Sequence, residues 1–388
     1  MKDRLPPPSA DALEHSARLA ARLAEAIRAA GGWTGFDTFM ARALFEPGLG
    51  YYSGGSRKFG AEGDFVTAPE ISPLFGRTLA RQIAAVMAAS APEIVEVGAG
   101  TGRLACDLLA ELEAMGCLPG RYAILELSGE LRARQAEAIR ASVPHLASRV
   151  VWLDGLPETF SGCVIANEVL DVMPVQLVVW RSGQIFERGV GLSAEGDFLW
   201  ADRPATGRLL EAARALGPRP TGEAEYVSEI GLAARAWTAE WGARLACGAV
   251  LLIDYGYPQA EYYLPSRANG TLQCYYRHRA HPDVLLWPGL NDITSFVDFT
   301  AIASAGFEAG LTVAGFTSQA NFLTNCGLLD LLGALGPDDS PAYVRAARAA
   351  LRLVAPHEMG ELFKVLALTR GLDAPLAGFA RGDRTHAL

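Results

Sequence analysis

The chain reads Ile94-Val95-Glu96-Val97-Gly98-Ala99-Gly100-Thr101-Gly102 between a predicted strand and a predicted helix. Glycines in a turn of this kind allow the backbone to pass close to a ligand. A dinucleotide-binding fingerprint would need a glycine at position 103, where this chain has arginine. Glu96, two residues before the first glycine, would repel a pyrophosphate and suits a ligand that carries an ammonium group.

Two later acids fit the same ligand. Glu126 ends the next predicted strand, where a carboxylate can accept hydrogen bonds from ribose hydroxyls, and Asp154 follows the third strand, where it can accept one from an adenine amino group. Ligands of open α/β sheets bind at these carboxyl ends. The three acids and the three glycines, Gly98, Gly100 and Gly102, predict S-adenosylmethionine as the cofactor. A glycine-rich turn with helix-capping acids is the alternative, but it does not explain why the acids share one edge.

Strands and helices alternate on both sides of this motif. We predict strands at 94–97, 122–126, 150–153, 163–167, 249–254, 311–314 and 363–368, and helices at 103–115, 130–142, 231–245, 296–305, 319–333 and 341–353. The alternation predicts an α/β, doubly wound, mostly parallel sheet that is covered by helices on both faces.

Three other parts of the chain depart from this alternation. Residues 1–90 form a helical N-terminal region, with predicted helices at 11–30, 36–45 and 73–89 and a glycine-rich, aromatic loop between them. Insertions at about 175–228 and 257–292 interrupt the main domain of 91–370, and the first has the alternation of a β-hairpin or small sheet that could shield a cleft. Residues 371–388 are predicted to be a flexible tail.

Composition limits the class of protein. The chain has 388 residues, a net charge of −9 and 20% charged residues, so it is not a disordered chain, and it lacks the basic surface that nucleic-acid binders use. No apolar run reaches the roughly 18 residues that cross a bilayer, and we expect no secretory signal in residues 1–8, which lack an apolar stretch and a cleavage-site pattern. The six cysteines form no CxxC pair and are predicted to be reduced thiols of a cytoplasmic protein. Abundant alanine and arginine are typical of a GC-rich bacterial genome.

The fourth predicted strand ends in Asn167-Glu168-Val169-Leu170-Asp171. Buried carboxylates are costly unless paired, so acids at the mouth of a cofactor cleft are candidates for holding a cationic substrate. The alternative for Glu168 and Asp171 is that they cap the next helix. Asp254, which ends the fifth predicted strand, also lies at this edge, and its role stays open.

The sequence as a whole resembles the MidA-like family of S-adenosylmethionine-dependent methyltransferases. The matching blocks run from about residue 36 to residue 368. They are Pro47-Gly48-x-Gly50-Tyr51-Tyr52, Gly63-Asp64-Phe65-x-Thr67-x-Pro69-Glu70-x-Ser72, Glu96-x-Gly98-x-Gly100-x-Gly102, Asn167-Glu168-x-x-Asp171, Gly270-Thr271-Leu272-x-Cys274-Tyr275-Tyr276-Arg277-His278, Asp292-Ile293-Thr294-x-x-Val297-Asp298-Phe299 and Gln319-Ala320-x-Phe322-Leu323. The resemblance implies a class I methyltransferase-type fold, and Thr67 and Asn167 join the cofactor-binding candidates.

The family's mitochondrial members are assembly factors that dimethylate an arginine of a respiratory complex I subunit, so the resemblance implies methyl transfer to a protein arginine. Carboxylates would orient the guanidinium beside the sulfonium. We predict that Glu168 is the main clamp, with Glu70, Asp171 or Glu229 as the second. Glu229 could instead cap the helix that follows it.

Other activities and partners stay open. A small-molecule O- or N-methyltransferase would share the cofactor half, and a non-catalytic assembly factor would share the fold. The pair His278 and His281 is a weak metal motif without nearby cysteines or acids, so we expect no metal. The aromatic and apolar cap segments suit either a protein partner or a homodimer.

Overall fold

The computed structural model describes residues 5–54, 66–217, 225–337 and 339–388. Its helices are α1 Ala10–Ala29, α2 Phe36–Phe45, α3 Ala68–Ile71, α4 Pro73–Ala89, α5 Arg103–Ala114, α6 Gly129–Ser142, α7 Gly207–Ala215, α8 Leu232–Arg244, α9 Gln259–Tyr262, α10 Phe299–Glu308, α11 Gln319–Asn325, α12 Leu328–Gly333 and α13 Pro341–Val354. Its strands are β1 Trp33–Gly35, β2 Glu93–Val97, β3 Arg121–Leu125, β4 Val150–Leu153, β5 Phe160–Asn167, β6 Gln176–Arg181, β7 Gln184–Leu192, β8 Phe198–Pro204, β9 Tyr226–Ile230, β10 Leu245–Tyr257, β11 Gln273–Tyr276, β12 Arg279–His281, β13 Asp292–Thr294, β14 Val297–Asp298, β15 Thr312–Ser318 and β16 Phe363–Arg370.

The chain divides into two units. Unit 1 comprises Met1–Phe65, Asp171–Ala234 and Gln259–Phe296, and unit 2 comprises Val66–Leu170, Arg235–Pro258 and Val297–Leu388. Of the sequence blocks quoted above, the segment Gly63-Asp64-Phe65 lies outside the described residues.

Unit 2 contains an eight-stranded sheet in its described residues, with the order β15-β16-β10-β5-β2-β3-β4 and β14 paired to β10. Strands β10, β5, β2, β3 and β4 run parallel, whereas β16 is antiparallel to both β10 and β15. Neighbouring residues such as Leu251 and Leu252 are both fully buried, although they point to opposite faces. Both faces of the sheet are therefore covered, which confirms the predicted doubly wound, mostly parallel fold.

Unit 1 contains an antiparallel sheet with the order β1-β7-β6-β9 and β8 paired to β7. The first insertion, for which the sequence predicts a β-hairpin or small sheet, contains the strands β6, β7 and β8. One face of helix α1, with Leu19, Leu23 and Ile27, packs in the same apolar cluster as Phe39 of α2. The second insertion adds the small sheet β12-β11-β13.

Three predictions from the sequence are wrong. The helix predicted over 296–305 is α10, Phe299–Glu308, because Asp298 is its N-cap residue and β14 precedes it. The helix predicted over 319–333 is two helices, α11 and α12, because Gly327 between them adopts a φ of 83°, outside the right-handed helical region. The tail after Gly371 is packed and not frayed. Phe379 is 7% exposed and stacks edge-on against Phe322, and the Gly378 N–H donates to Gln82 at 2.9 Å.

Candidate functional site

The chain reverses its direction across the sheet of unit 2 at β2. Strands β3 and β4 follow on one side of β2, and β5 lies on the other side. Such a switch point opens a crevice at the carboxyl ends of the two central strands. The glycine loop Gly98–Gly102 follows β2 and Asn167 ends β5, so the structure brings both to this crevice.

The glycine loop has the backbone that only glycine adopts readily. Gly98, Gly100 and Gly102 have φ values of 67°, 52° and 83°. At Gly102, a Cβ atom would also lie 3.1 Å from the Cα of Gln135 on α6. The third glycine is therefore required both by its own conformation and by the close approach of a helix.

Glu96 of β2 is a buried acid. It is 2% exposed, and its Oε2 accepts a hydrogen bond from the Tyr122 hydroxyl at 2.6 Å. Burial, with a smaller contribution from the charge of Glu126, raises the pKa of Glu96 to about 7. An ammonium group beside Glu96 would lower that pKa again and favour the carboxylate. The contact with the ammonium group of a ligand stays a prediction.

Glu126 directly follows β3, and its carboxylate is held by two donors. Oε1 accepts the Ser128 N–H at 2.9 Å, and Oε2 accepts the Gln135 side-chain amide at 3.1 Å. Burial raises the pKa of Glu126 above its ordinary value. The carboxylate thus has a fixed orientation at the strand end where we predict the ribose contact.

Asp154 lies at the neighbouring strand end, and Arg132 links it to Glu126. The side chain of Asp154 is 94% exposed and pairs with Arg132 at 2.7 Å. Arg132 also donates to the backbone carbonyls of Glu126 and Leu153, each at 2.7 Å. One arginine on α6 therefore ties together the ends of β3 and β4.

Glu70 lies on α3, and Glu168 contacts the first residue of that helix. The Glu168 Oε1 accepts the Ala68 N–H at 3.4 Å and the Asn167 amide at 3.2 Å. Glu70 lies on α3 and accepts a hydrogen bond from the hydroxyl of Thr101 in the glycine loop. Two of the four predicted guanidinium-binding acids thus contact candidates for cofactor binding in unit 2: Glu168 accepts from Asn167, and Glu70 accepts from the glycine loop. Thr67 precedes α3 as its N-cap residue.

The backbone at Glu168 is strained, with a φ of 53°. Its N–H donates to the Ile253 carbonyl at 2.9 Å. The next two N–H groups, of Val169 and Leu170, donate to the Asp254 carboxylate. Asp254 is 1% exposed, and its second oxygen accepts its neighbour's N–H, from Tyr255, at 2.9 Å. The open role of Asp254 is therefore answered in structural terms: it holds the turn that presents Glu168.

Asp171 and Glu229 belong to unit 1. Glu229 is 2% exposed on β9, and its carboxylate accepts the N–H groups of Thr271 and Leu272 at 2.7 and 3.0 Å and the Tyr262 hydroxyl at 3.1 Å. These bonds anchor the Gly270-Thr271-Leu272 block and do not cap a helix. Asp171 is 4% exposed, and its backbone carbonyl accepts the Ser295 N–H at 2.9 Å.

Unit 1 also contains a buried tyrosine and acid pair. The Tyr52 hydroxyl donates to Asp292 at 2.9 Å. Burial, then the negative charges of Asp292 and Asp171, raise the pKa of Tyr52 well above its ordinary value. The aromatic block around Tyr52 therefore packs a neutral phenol against acids.

Three polar residues of unit 2 were missed by the sequence reasoning: Gln135, Arg132 and Thr101. Gln135 is fully buried on α6, a helix with few other buried residues. A polar residue at a core-facing position of this helix could have indicated a buried hydrogen-bonding role. The partners of Gln135 could not be found in the same way, because they lie on other segments of the chain.

The remaining histidines, cysteines and helices concern metal binding and the membrane. Among the described residues, no group of three or more His, Cys, Asp or Glu side chains is placed to hold a metal ion. His281 is 3% exposed and its Nε2 hydrogen-bonds Asn291 at 3.1 Å. All six cysteines are free thiols. None of the described helices combines the length and the apolar character that a membrane span requires.

A family model and several relatives match this chain. The model described as "Putative S-adenosyl-L-methionine-dependent methyltransferase" matches residues 76–317. The chain is 28% identical over 359 residues to "Protein arginine methyltransferase NDUFAF7, mitochondrial" of Danio rerio, which covers 84% of this chain and 81% of that protein. It is 27% identical over 380 residues to the Drosophila melanogaster homolog of the same name, with 88% and 84% covered.

Solved structures from Burkholderia thailandensis are more similar. A COG1565 superfamily member bound to S-adenosyl-homocysteine is 52% identical, superposes with a TM-score of 0.95, and the match covers 99% of this chain and 100% of that one. A native crystal structure of a COG1565 superfamily protein is 51% identical, with a TM-score of 0.92 and the same coverage.

Proposed function

Since this chain belongs to the family of S-adenosyl-L-methionine-dependent methyltransferases and uses that cofactor, we propose that it methylates an arginine side chain of a protein. The observation that carries the proposal is that two acids meet at helix α3: Glu70, which accepts a hydrogen bond from the glycine loop, and Glu168, which accepts hydrogen bonds from Ala68 and Asn167. The curated relatives are named protein arginine methyltransferases, which supports the same acceptor.

The residues present fit the cofactor. The loop Gly98–Gly102 offers close backbone approach, and carboxylates follow β3 and β4. The buried Oδ1 of Asn167 has no hydrogen-bond partner within the described chain, so it is an acceptor that a bound ligand could satisfy. We propose that these residues, with Glu96 and Thr67, hold S-adenosylmethionine, which supplies a methyl group on a positively charged sulfur when it is bound.

The proposed role of Glu70 and Glu168 follows from the charges of the two reacting groups. A guanidinium and a sulfonium are both positive, and transfer requires one guanidinium nitrogen to lie in line with the methyl carbon. Transfer would break the bond between the methyl carbon and the sulfur, leave its electron pair on the sulfur, and form a C–N bond, while the proton of that nitrogen would pass to a neighbouring carboxylate. A carboxylate that accepts two parallel N–H bonds orients the guanidinium and stabilises its charge. We assign the main role to Glu168, which a strained turn presents after β5, and the second role to Glu70, whose carboxylate already accepts the hydroxyl of Thr101.

Glu229 and Asp171, the two candidate acids of unit 1, have a lower priority as guanidinium-binding residues. The Glu229 carboxylate is occupied by four donors of its own unit. We therefore keep Glu229 and Asp171 as lesser candidates for the guanidinium contact, to be tested after Glu168.

The test compares Gly100→Val, Glu168→Gln and the unmodified chain. Calorimetric titration with S-adenosylmethionine should show loss of binding in Gly100→Val and affinity within about threefold of the unmodified chain in Glu168→Gln. Incubation with methyl-labelled cofactor and a bacterial extract should label protein, and acid hydrolysis should release methylarginine. Glu168→Gln should lower that labelling at least tenfold. Asp330→Asn is the matched control, since its side chain is 80% exposed.

Other outcomes would overturn the proposal. Label in free metabolites and not in protein would make the chain a small-molecule methyltransferase. Full labelling by Glu168→Gln would remove this acid from the reaction. Binding of the cofactor with no labelled product in any fraction would favour a non-catalytic assembly role.

A further inference from the structure

Gln135 occupies an unusual position for an uncharged polar residue. It lies on α6 with no exposed surface, between the glycine loop and Glu126. Its Nε2 donates to the Gly100 carbonyl at 3.0 Å and to the Glu126 carboxylate at 3.1 Å. Its Oε1 accepts the Trp152 indole N–H at 2.9 Å. The amide thus joins the segments that follow β2 and β3 to the strand β4.

Chemistry fixes the orientation of this amide. The indole of Trp152 can only donate, so the oxygen of Gln135 must face it. The two hydrogens of Nε2 then face Gly100 and Glu126, both of which can only accept at these atoms. Rotation of the amide by 180° would oppose donor to donor and acceptor to acceptor. The arrangement therefore has one satisfied state.

Packing reinforces these hydrogen bonds. A Cβ at Gly102 would lie 3.1 Å from the Cα and 3.4 Å from the Cβ of Gln135. Helix α6 is thus in direct contact with the last glycine of the loop, and the same residue holds the carbonyl of Gly100. A glycine loop is flexible unless such contacts restrict it, because each glycine has many accessible backbone conformations.

We propose that Gln135 is a positioning residue for S-adenosylmethionine, which sets the spacing between the glycine loop and the Glu126 carboxylate. The inference rests on the proposed cofactor roles of that loop and that acid. Gln135 acts through both without needing to contact the ligand. A pre-organised site loses less conformational entropy on binding, so disorder between the two segments would weaken affinity.

The test is calorimetric titration with S-adenosylhomocysteine. Gln135→Met keeps the length of the side chain and removes all three hydrogen bonds, so we expect binding to weaken at least tenfold. Gln135→Glu keeps the acceptor for Trp152 but turns oxygen toward two acceptors, so we expect a loss at least as large. Trp152→Phe removes the indole donor and part of the ring but leaves both hydrogen bonds donated by Nε2 of Gln135 in place, so it should keep affinity within about threefold.

Thermal unfolding of each variant separates positioning from folding. A Gln135 that only stabilises the fold would lower Tm and leave the Kd of the folded protein unchanged, and that result would overturn the inference. If Gln135→Met does not fold, Gln135→Asn provides the same comparison, because its shorter amide cannot reach both acceptors.

Two further variants separate this inference from the site proposal. If Gly100→Val and Glu126→Ala leave the Kd unchanged, the proposed site is wrong. If both weaken binding and the Gln135 variants do not, only the positioning role is wrong.

Discussion

The Asp254 carboxylate accepts a hydrogen bond from the backbone N–H of Leu170 at 2.9 Å. The same oxygen accepts the N–H of Val169 at 3.2 Å. These groups follow Glu168, whose positive φ costs about 1–3 kcal/mol in a residue with a side chain. Asp254, a buried acid within β10, therefore stabilises the strained turn that presents the proposed guanidinium-binding acid.

Replacing this acid should be costly. Asp254→Asn keeps one acceptor oxygen but loses the charge and turns an amide toward backbone N–H groups, so the free energy of unfolding should fall by about 1–3 kcal/mol. Urea denaturation measures it. The exposed Asp330→Asn should change stability by less than about 0.5 kcal/mol. Equal effects of the two substitutions would contradict a special role for Asp254.

Glu96 should make stability depend on pH. Its pKa is 4.5 in a solvated chain and about 7 in the fold, so the folded state binds the proton more tightly. Raising the pH from about 4.5 to 7 therefore withdraws stability, and the full loss of about 3 kcal/mol is reached above pH 7. Glu96→Gln cannot titrate, so its stability relative to the unmodified chain should rise between pH 5 and pH 8. Parallel pH profiles of the two proteins would refute the buried titration.

Gly270 should tolerate no side chain. A Cβ there would lie 2.3 Å from Oε1 of Glu229, and the φ of Gly270 is 74°. Gly116 has a similar φ of 71° but open space around it. Gly116→Ala should cost about 1–2 kcal/mol for the backbone alone, and Gly270→Ala about 2 kcal/mol more for the displaced anchor. Urea denaturation compares the two variants, and equal losses would show that the Glu229 contact is unimportant.

Asp154 should affect ligand affinity and not stability. Its carboxylate is 94% exposed, so Asp154→Asn should change the free energy of unfolding by less than about 1 kcal/mol. If Asp154 accepts the adenine amino group, the substitution should weaken S-adenosylhomocysteine binding about three- to tenfold. The inosine analogue of that ligand lacks the amino group and should bind both proteins equally. A loss of the same size with the analogue would exclude the adenine contact.

Local sequence pattern was enough to locate most elements of the fold. Helices α2 and α4 and strand β4 begin and end at the predicted residues. Each of them has an apolar repeat or apolar run of its own, which is a local signal. Strand β9 was not predicted, because its antiparallel pairing with β6 joins residues about 50 positions apart.

The glycine loop and the strand-end acids were also recognisable from the sequence. Parallel strands place their carboxyl ends at one edge, so Glu126 and Asp154 could be assigned to a common edge before their geometry was known. Two other contacts could not be recognised from the sequence. Gln135 and Gly100 are 35 positions apart in the chain, and Asp254 and Leu170 are 84 positions apart.

The sequence alone determined the type of fold, the glycine loop and the chemical character of the acids, because these depend on residue type and short spacing. The tertiary structure decided what each acid does. Glu229 is an anchor of a neighbouring loop, Asp254 supports a strained turn, and Glu168 accepts the N–H of Ala68 at the start of α3. The physical reason is that a buried carboxylate is stabilised by the donors that folding brings to it, and those donors come from distant parts of the chain.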